Sequence, residues 1–122
     1  MAGEFDIKVR QGDDKTITMT LSEPDGDIDL TNFDAKLQVR DDPKSNTIRD
    51  ELSTSNDRIE IITDEVEDDK IILKFPNNVT KKYNFQYAEY DLKLITQSTP
   101  PVITTLLKGK FIVTPRITKN DN

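Results

Sequence analysis

Apolar and polar residues alternate one by one along much of this chain. Phe5, Ile7 and Val9 alternate with Asp6, Lys8 and Arg10. A period of two sends successive side chains to opposite faces of an extended backbone, so the stretch predicts a half-buried strand. QGDDK supplies a turn. Ile17, Met19 and Leu21 then alternate with Thr16, Thr18 and Thr20, a second strand. SEPDGD carries Pro and Asp-Gly, strong turn chemistry, and Ile28 and Leu30 make a short apolar step. Ala35, Leu37 and Val39 alternate with Lys36, Gln38 and Arg40, a further strand.

The pattern dissolves from Asp41 to Asp57. DDPKSNTIRDELSTSND reads as a long polar loop that leaves room for a short strand near Thr47–Arg49. RIEIIT and KIILKF predict two strands around the acidic connection DEVEDD. PNNVTKKYNF is a turn region that leads into a final hairpin. On its first arm Ala88, Tyr90, Leu92 and Leu94 share one face, and Glu89, Asp91 and Lys93 the other. On its second arm Leu107, Gly109, Phe111 and Val113 oppose Lys108, Lys110 and Ile112. Gly109 in mid-strand predicts a bulge or a close backbone approach. A long last strand of this kind is expected in the middle of a sheet, as a backbone of the fold.

No stretch has the periodicity of a three-turn helix. Seven or eight short strands separated by turn signals predict an all-β fold, an antiparallel two-sheet β-sandwich of immunoglobulin-like type. The whole chain, 1–122, reads as a single domain with 41–57 as its long loop and 119–122 as a frayed tail.

Composition sharpens this. Hydrophobic residues are 34% and charged residues 33% of the 122, which predicts a thin core between two layers. The formal net charge of −6 and a pI near 4.6 speak against nucleic acid and anionic membranes as partners. There is no Cys and no His. Disulfides, thiolate metal sites and the Ser-His and Cys-His nucleophile systems are thereby excluded. The N-terminus lacks the basic and apolar regions of a signal peptide, and no apolar run is long enough to cross a bilayer.

The remaining motifs favour structure over chemistry. Carboxylate pairs at catalytic separation are expected by chance among 23 acidic residues, and none lies in a recognisable motif. No glycine-rich phosphate loop occurs. Asp25, Asp27 and Asp29 in DGDID are hard oxygen donors of the kind Ca²⁺ takes. An EF-hand loop counted from Asp25 would need Gly where Leu30 stands and Glu where Lys36 stands, so the match fails. Asn78–Thr80 fits a glycosylation acceptor and reads as turn sequence. Tyr83, Phe85, Tyr87 and Tyr90 form an aromatic cluster. It suits either a strand entry packed by rings or an exposed platform for sugar, so a carbohydrate- or Ca²⁺-binding sandwich is an alternative reading.

Four stretches carry a family resemblance. They are FDIKVRQGDDKTITMTL, PDGDIDLTN, RIEII with DDKIILKFP, and YAEYDLKL with TLLKGKFIVTPRIT. Together they resemble the N-terminal domain of phage baseplate upper proteins and related small immunoglobulin-like tail-associated virion proteins. The pattern falls on Gly12 and Asp13, on Gly26 with Asp29, Leu30 and Thr31, on Tyr90, Asp91 and Leu92, and on Gly109, Phe111 and Val113. The resemblance implies a non-enzymatic virion protein with no cofactor, no metal and no small-molecule substrate. It implies docking to other virion proteins at a tail, baseplate or fibre junction in several symmetry-related copies. A capsid head-decoration role is the alternative within that setting. Candidate contact residues are Asp6, Lys8 and Arg10 on the first strand's outer face, Tyr83, Phe85 and Tyr87 at the aromatic entry, and the loop 41–57.

Overall fold

The computed structural model describes residues 3–23, 26–27, 32–42, 44–63 and 69–117, with side chains outside 21–27. Its strands are β1 (Gly3–Glu4), β2 (Ile7–Arg10), β3 (Lys15–Glu23), β4 (Gly26–Asp27), β5 (Phe33–Arg40), β6 (Ile48–Ser53), β7 (Ile59–Ile62), β8 (Asp69–Phe75), β9 (Tyr87–Thr96) and β10 (Ile103–Thr114). One helical turn, α1 (Asn77–Thr80), links β8 to the final hairpin. The short step at Ile28 and Leu30, the acidic connection at 64–68 and the tail at 119–122 lie outside the described residues.

Two sheets face each other. One has the order β1-β10-β9-β5-β6, with β2 also beside β10, and the other runs β4-β3-β8-β7. This is the β-sandwich that the alternation predicts. The alternation also decides which residues meet. Ala35, Leu37 and Val39 of β5, Ala88, Tyr90, Leu92 and Leu94 of β9, and Phe111 and Val113 of β10 turn inward. They meet Ile71, Leu73 and Phe75 of β8 from the opposite sheet in a single core. Lys70, Ile72 and Lys74 take the other face of β8 and are only partly buried.

β10 lies inside its sheet, between β9 and the N-terminal strands, as its length predicts. Its other neighbours depart from a purely antiparallel arrangement: β1 and β2 both pair with it in parallel. The N-terminal strand is also not continuous. Ile7 and Val9 are buried, but Phe5 is 48% exposed and lies between the two short strands. The cause is Gly109. A Cβ there would stand 2.2 Å from the Phe5 carbonyl oxygen, so the two backbones approach as only glycine allows. Around this crossing the Phe5 N–H donates to the Lys108 carbonyl (2.9 Å), and the Lys110 N–H donates to Asp6 Oδ1 (3.0 Å). The Tyr90 hydroxyl, from the strand on the far side of Gly109, donates to the Phe5 carbonyl. Burial, and then the charge of the Asp6 carboxylate, raise the Tyr90 phenol above the usual tyrosine range.

The long loop expected from Asp41 to Asp57 is corrected. Its middle is β6, six residues that pair antiparallel with β5 from Lys36↔Ser53 to Arg40↔Ile48. It reads as polar because it is an edge strand, and edge strands carry charge. Its charges are neutralised by partners eight residues away on either side. Arg58 binds the Asp50 carboxylate through two nitrogens at 2.7 and 2.8 Å and donates to the carbonyls of Lys74 and Glu51. Burial opposes the charge on Arg58, but Asp50 outweighs it and holds the guanidinium firmly protonated. Arg49 makes a second two-pronged pair with Asp41 (2.8 and 2.9 Å), which holds that carboxyl below its ordinary range.

Candidate docking surface

The outer face of the six-stranded sheet is built by the residues that alternate with the core. In register across β10, β9 and β5 stand Lys110, Glu89 and Arg40, and in the next row Lys108, Asp91 and Gln38. Opposite charges facing each other across a ladder are favourable, so these rows are internally matched. The row beyond is different. Lys93 of β9 stands directly opposite Lys36 of β5, with Thr105 on its other side. Lys36 lies 3.8 Å from Glu51, whereas no salt bridge to Lys93 occurs among the described residues. A shallow groove of about 730 Å³ runs over this face between Glu4 and Asp6 at one side and Arg40 and Asp42 at the other.

The six candidate contact residues do not form one patch. Lys8 is exposed on β2 and pairs with Ile112, which pairs in turn with Tyr87. Lys8, Ile112 and Tyr87 therefore make one outward row at an end of the same face, where Tyr87 is 71% exposed. Asp6 is exposed but engaged, since its carboxylate accepts the Lys110 N–H. Arg10 is exposed and donates to the Pro115 carbonyl at 3.3 Å.

Tyr83 is corrected: it is a core residue and offers no surface. It is 5% exposed, and its ring packs against Phe85 and Phe111 with centroids 5.3 and 5.7 Å away. Its hydroxyl donates to Asp50, which satisfies the polar tip inside the sandwich. Burial, then the neighbouring carboxylate, push this phenol above the tyrosine range. Phe85 is half-buried against the same rings, and the Arg49 guanidinium lies over it at 5.6 Å. The aromatic cluster is thus a strand entry packed by rings, and Tyr87 alone of these three faces water. The order of residues could not separate them, because Tyr83 turns inward to meet residues more than 20 positions away.

Two features carry weight that the sequence reading did not assign. Thr80, fully buried in α1, accepts the Gly12 N–H (3.1 Å) and donates to the Asp13 carbonyl (2.8 Å). It staples the turn after β2, and Asp14 reinforces this by accepting the Asn77 N–H at 2.6 Å. The second is the start of β10, where Val102 and Ile103 are 59% and 56% exposed. The signal in the sequence is an absence of charge from Thr96 to Leu107. The Asp25, Asp27 and Asp29 set does not lie within the residues whose side chains are described. Among the described residues no three acidic side chains gather as they would around a metal ion. Nor does any described helix have the length and apolarity to cross a membrane.

The two facing sheets define an immunoglobulin-like β-sandwich, and a solved phage domain shares its fold. The N-terminal domain of phage TP901-1 ORF48 superposes with a TM-score of 0.51 at 12% identity, covering 88% of this chain and 83% of that one. Two immunoglobulin-type structures align more loosely, each with a TM-score of 0.39. One is Dpr1 IG1 bound to DIP-eta IG1, at 16% identity over 90% of this chain and 89% of that one. The other comes from photo-crosslinking analyses of cell-adhesive interactions of VGSC beta subunits, at 14% identity over 93% and 92%. No protein-family model matches the sequence, and no curated protein matches it. The resemblance to phage N-terminal sandwich modules read from the sequence thus meets a phage N-terminal domain with the same fold.

Proposed function

We propose that this chain is a non-enzymatic structural module of a phage particle. It acts as an adaptor at the tail, baseplate or fibre junction and is present in several symmetry-related copies. The observation that carries this is the shared architecture with a phage protein's N-terminal domain over 88% of the chain. The outer sheet face supports it. That face spans several strands and ends in an exposed aromatic, Tyr87, in one row with Ile112 and Lys8. Large exposed rings of this kind anchor protein interfaces. The chain has neither His nor Cys, which suits a part that works by shape and charge.

The test is incorporation. The chain is expected among the proteins of purified particles by mass spectrometry, with immunogold label at the tail. Label on the head would move the module to capsid decoration, and absence from particles would overturn the reading. Within a phage that incorporates it, Tyr87→Ala combined with Lys8→Glu is expected to lower the copy number at least tenfold without altering the melting temperature.

A further inference from the structure

The outer face of the six-stranded sheet is open from end to end. Glu89, Lys108 and Lys110 in its middle are exposed, and Tyr87 and Ile103 at its two ends are 71% and 56% exposed. Along β9 the outward positions read Tyr87, Glu89, Asp91, Lys93 and Ile95. Along β10 they read Ile112, Lys110, Lys108, Thr105 and Ile103, with a bulge between Thr105 and Leu107. Both strands are apolar at each end and polar between. Glu89, Asp91, Lys93 and Lys108 line the groove, and none of them forms a salt bridge among the described residues.

The order of these positions is complementary to itself when reversed. A second copy turned about an axis lying in the face, across the strands and through Asp91, lays its β9 over this one in the opposite direction. Tyr87 then meets Ile95 and Glu89 meets Lys93, and each contact occurs twice, as an isologous pair requires. On β10 Ile112 meets Ile103 in the same way. Asp91 comes over its own copy, with the Lys108 of both chains beside it in the same row. An axis along the strands would instead bring like rows together, Glu89 over Glu89 and Lys93 over Lys93. The first arrangement also answers Lys93, which faces Lys36 across the ladder at a cost, by bringing it a carboxylate. Glu89 of the same chain cannot do this, because four residues of strand hold the two backbones about 13 Å apart. Arg40 comes over the second copy's Lys36, and Glu51, 3.8 Å from Lys36, offsets that repulsion. The rows of β2, β10, β9 and β5 hold more basic than acidic residues, so little of the surplus of −6 lies on this face. The face measures about 27 Å along β9 and about 19 Å from β1 to β6. That is small for a specific interface, so the pair is expected to be a weak one.

We infer that the outer sheet face is an isologous docking surface for a second copy of this chain, with reciprocal Glu89–Lys93 contacts about a two-fold axis through Asp91. This names an occupant for the face that the proposed function uses, and the place of such a pair in a particle rests on that reading. The pairing itself is measured in solution, and mass spectrometry of particles tests that reading separately.

The experiment is light scattering on the purified full chain over a series from about 1 μM to about 1 mM, where the mass is expected to rise from one chain toward two and no further. Glu89→Lys and Lys93→Glu each place like charges at both reciprocal contacts, and each alone is expected to weaken pairing at least tenfold. Mixed in equal amounts, the two variants are expected to pair with each other, because every such contact is then lysine on glutamate. The chain carrying both substitutions is expected to pair with itself. Damage to the fold would not be rescued by mixing. A single chain at every concentration, which would leave the face to a different protein, would overturn the inference. So would assembly beyond two copies, single variants that pair as the parent does, or a mixture that stays monomeric.

Discussion

Gly109 shows how much one residue can control. It is the crossing point of the N-terminal segment over β10, and any side chain there meets the Phe5 backbone rather than a flexible side-chain tip. Gly109→Ala is expected to cost about 1–3 kcal/mol, the range for forced overpacking. Urea denaturation would measure it, and the loss should come with faster amide exchange in β2. Tyr83 controls a different property. Its phenol is raised above the tyrosine range by burial and by Asp50. A group whose folded pKa lies above its unfolded value contributes stability fully below the unfolded pKa, about 10 for tyrosine, and loses it as pH rises beyond. The urea midpoint should therefore fall steeply above about pH 10. Tyr83→Phe should flatten that fall while lowering the midpoint at neutral pH, where it removes the bond to Asp50.

Among the elements, α1 is only four residues long, yet it positions two sheets. Its Thr80 hydroxyl holds the turn by which the chain passes from β2 in one sheet to β3 in the other. Thr80→Val keeps the shape and removes both bonds. It leaves the Gly12 N–H and Asp13 carbonyl without that partner, and the expected cost is about 1–3 kcal/mol in thermal or urea unfolding. The elements also show what the sequence could reveal. β3, β5, β8, β9 and β10 were legible because each has one face in the core and one toward water, so their alternation is clean. β6 was legible only at its start, because Arg49, Asp50 and Glu51 occupy an edge, and the charges of Arg49 and Asp50 are met by Asp41 and Arg58, in stretches that read as loop. Phe5 was misread for a related reason. It keeps the alternation of Ile7 and Val9, but the backbone bends at Gly109, which is distant in sequence. The candidate surface was legible in part: Lys8 and Tyr87 share an outward row, while Tyr83 needed three-dimensional information to be placed.

For the molecule as a whole, charge and fold act separately. Acidic and basic residues are matched in rows on the outer sheet face, yet the total is −6. A surplus of this sign opposes self-association at neutral pH. Solubility, measured as protein remaining after centrifugation, should reach its minimum near the pI of about 4.6 and recover on either side.

The parallel pairing of the N-terminal strands with β10 has a consequence during synthesis. β2 is translated long before β10, the strand it pairs with. Until it emerges, Ile7 and Val9 have no sheet to join and β9 lacks one of its two neighbours. Such long-range pairing ties folding to the arrival of the final strand. A chain broken off before Phe111 would lack the ring at the centre of the aromatic cluster and would remain a target for proteolysis. Pairing of β10 with β2 and β9 is therefore the step that closes the six-stranded sheet.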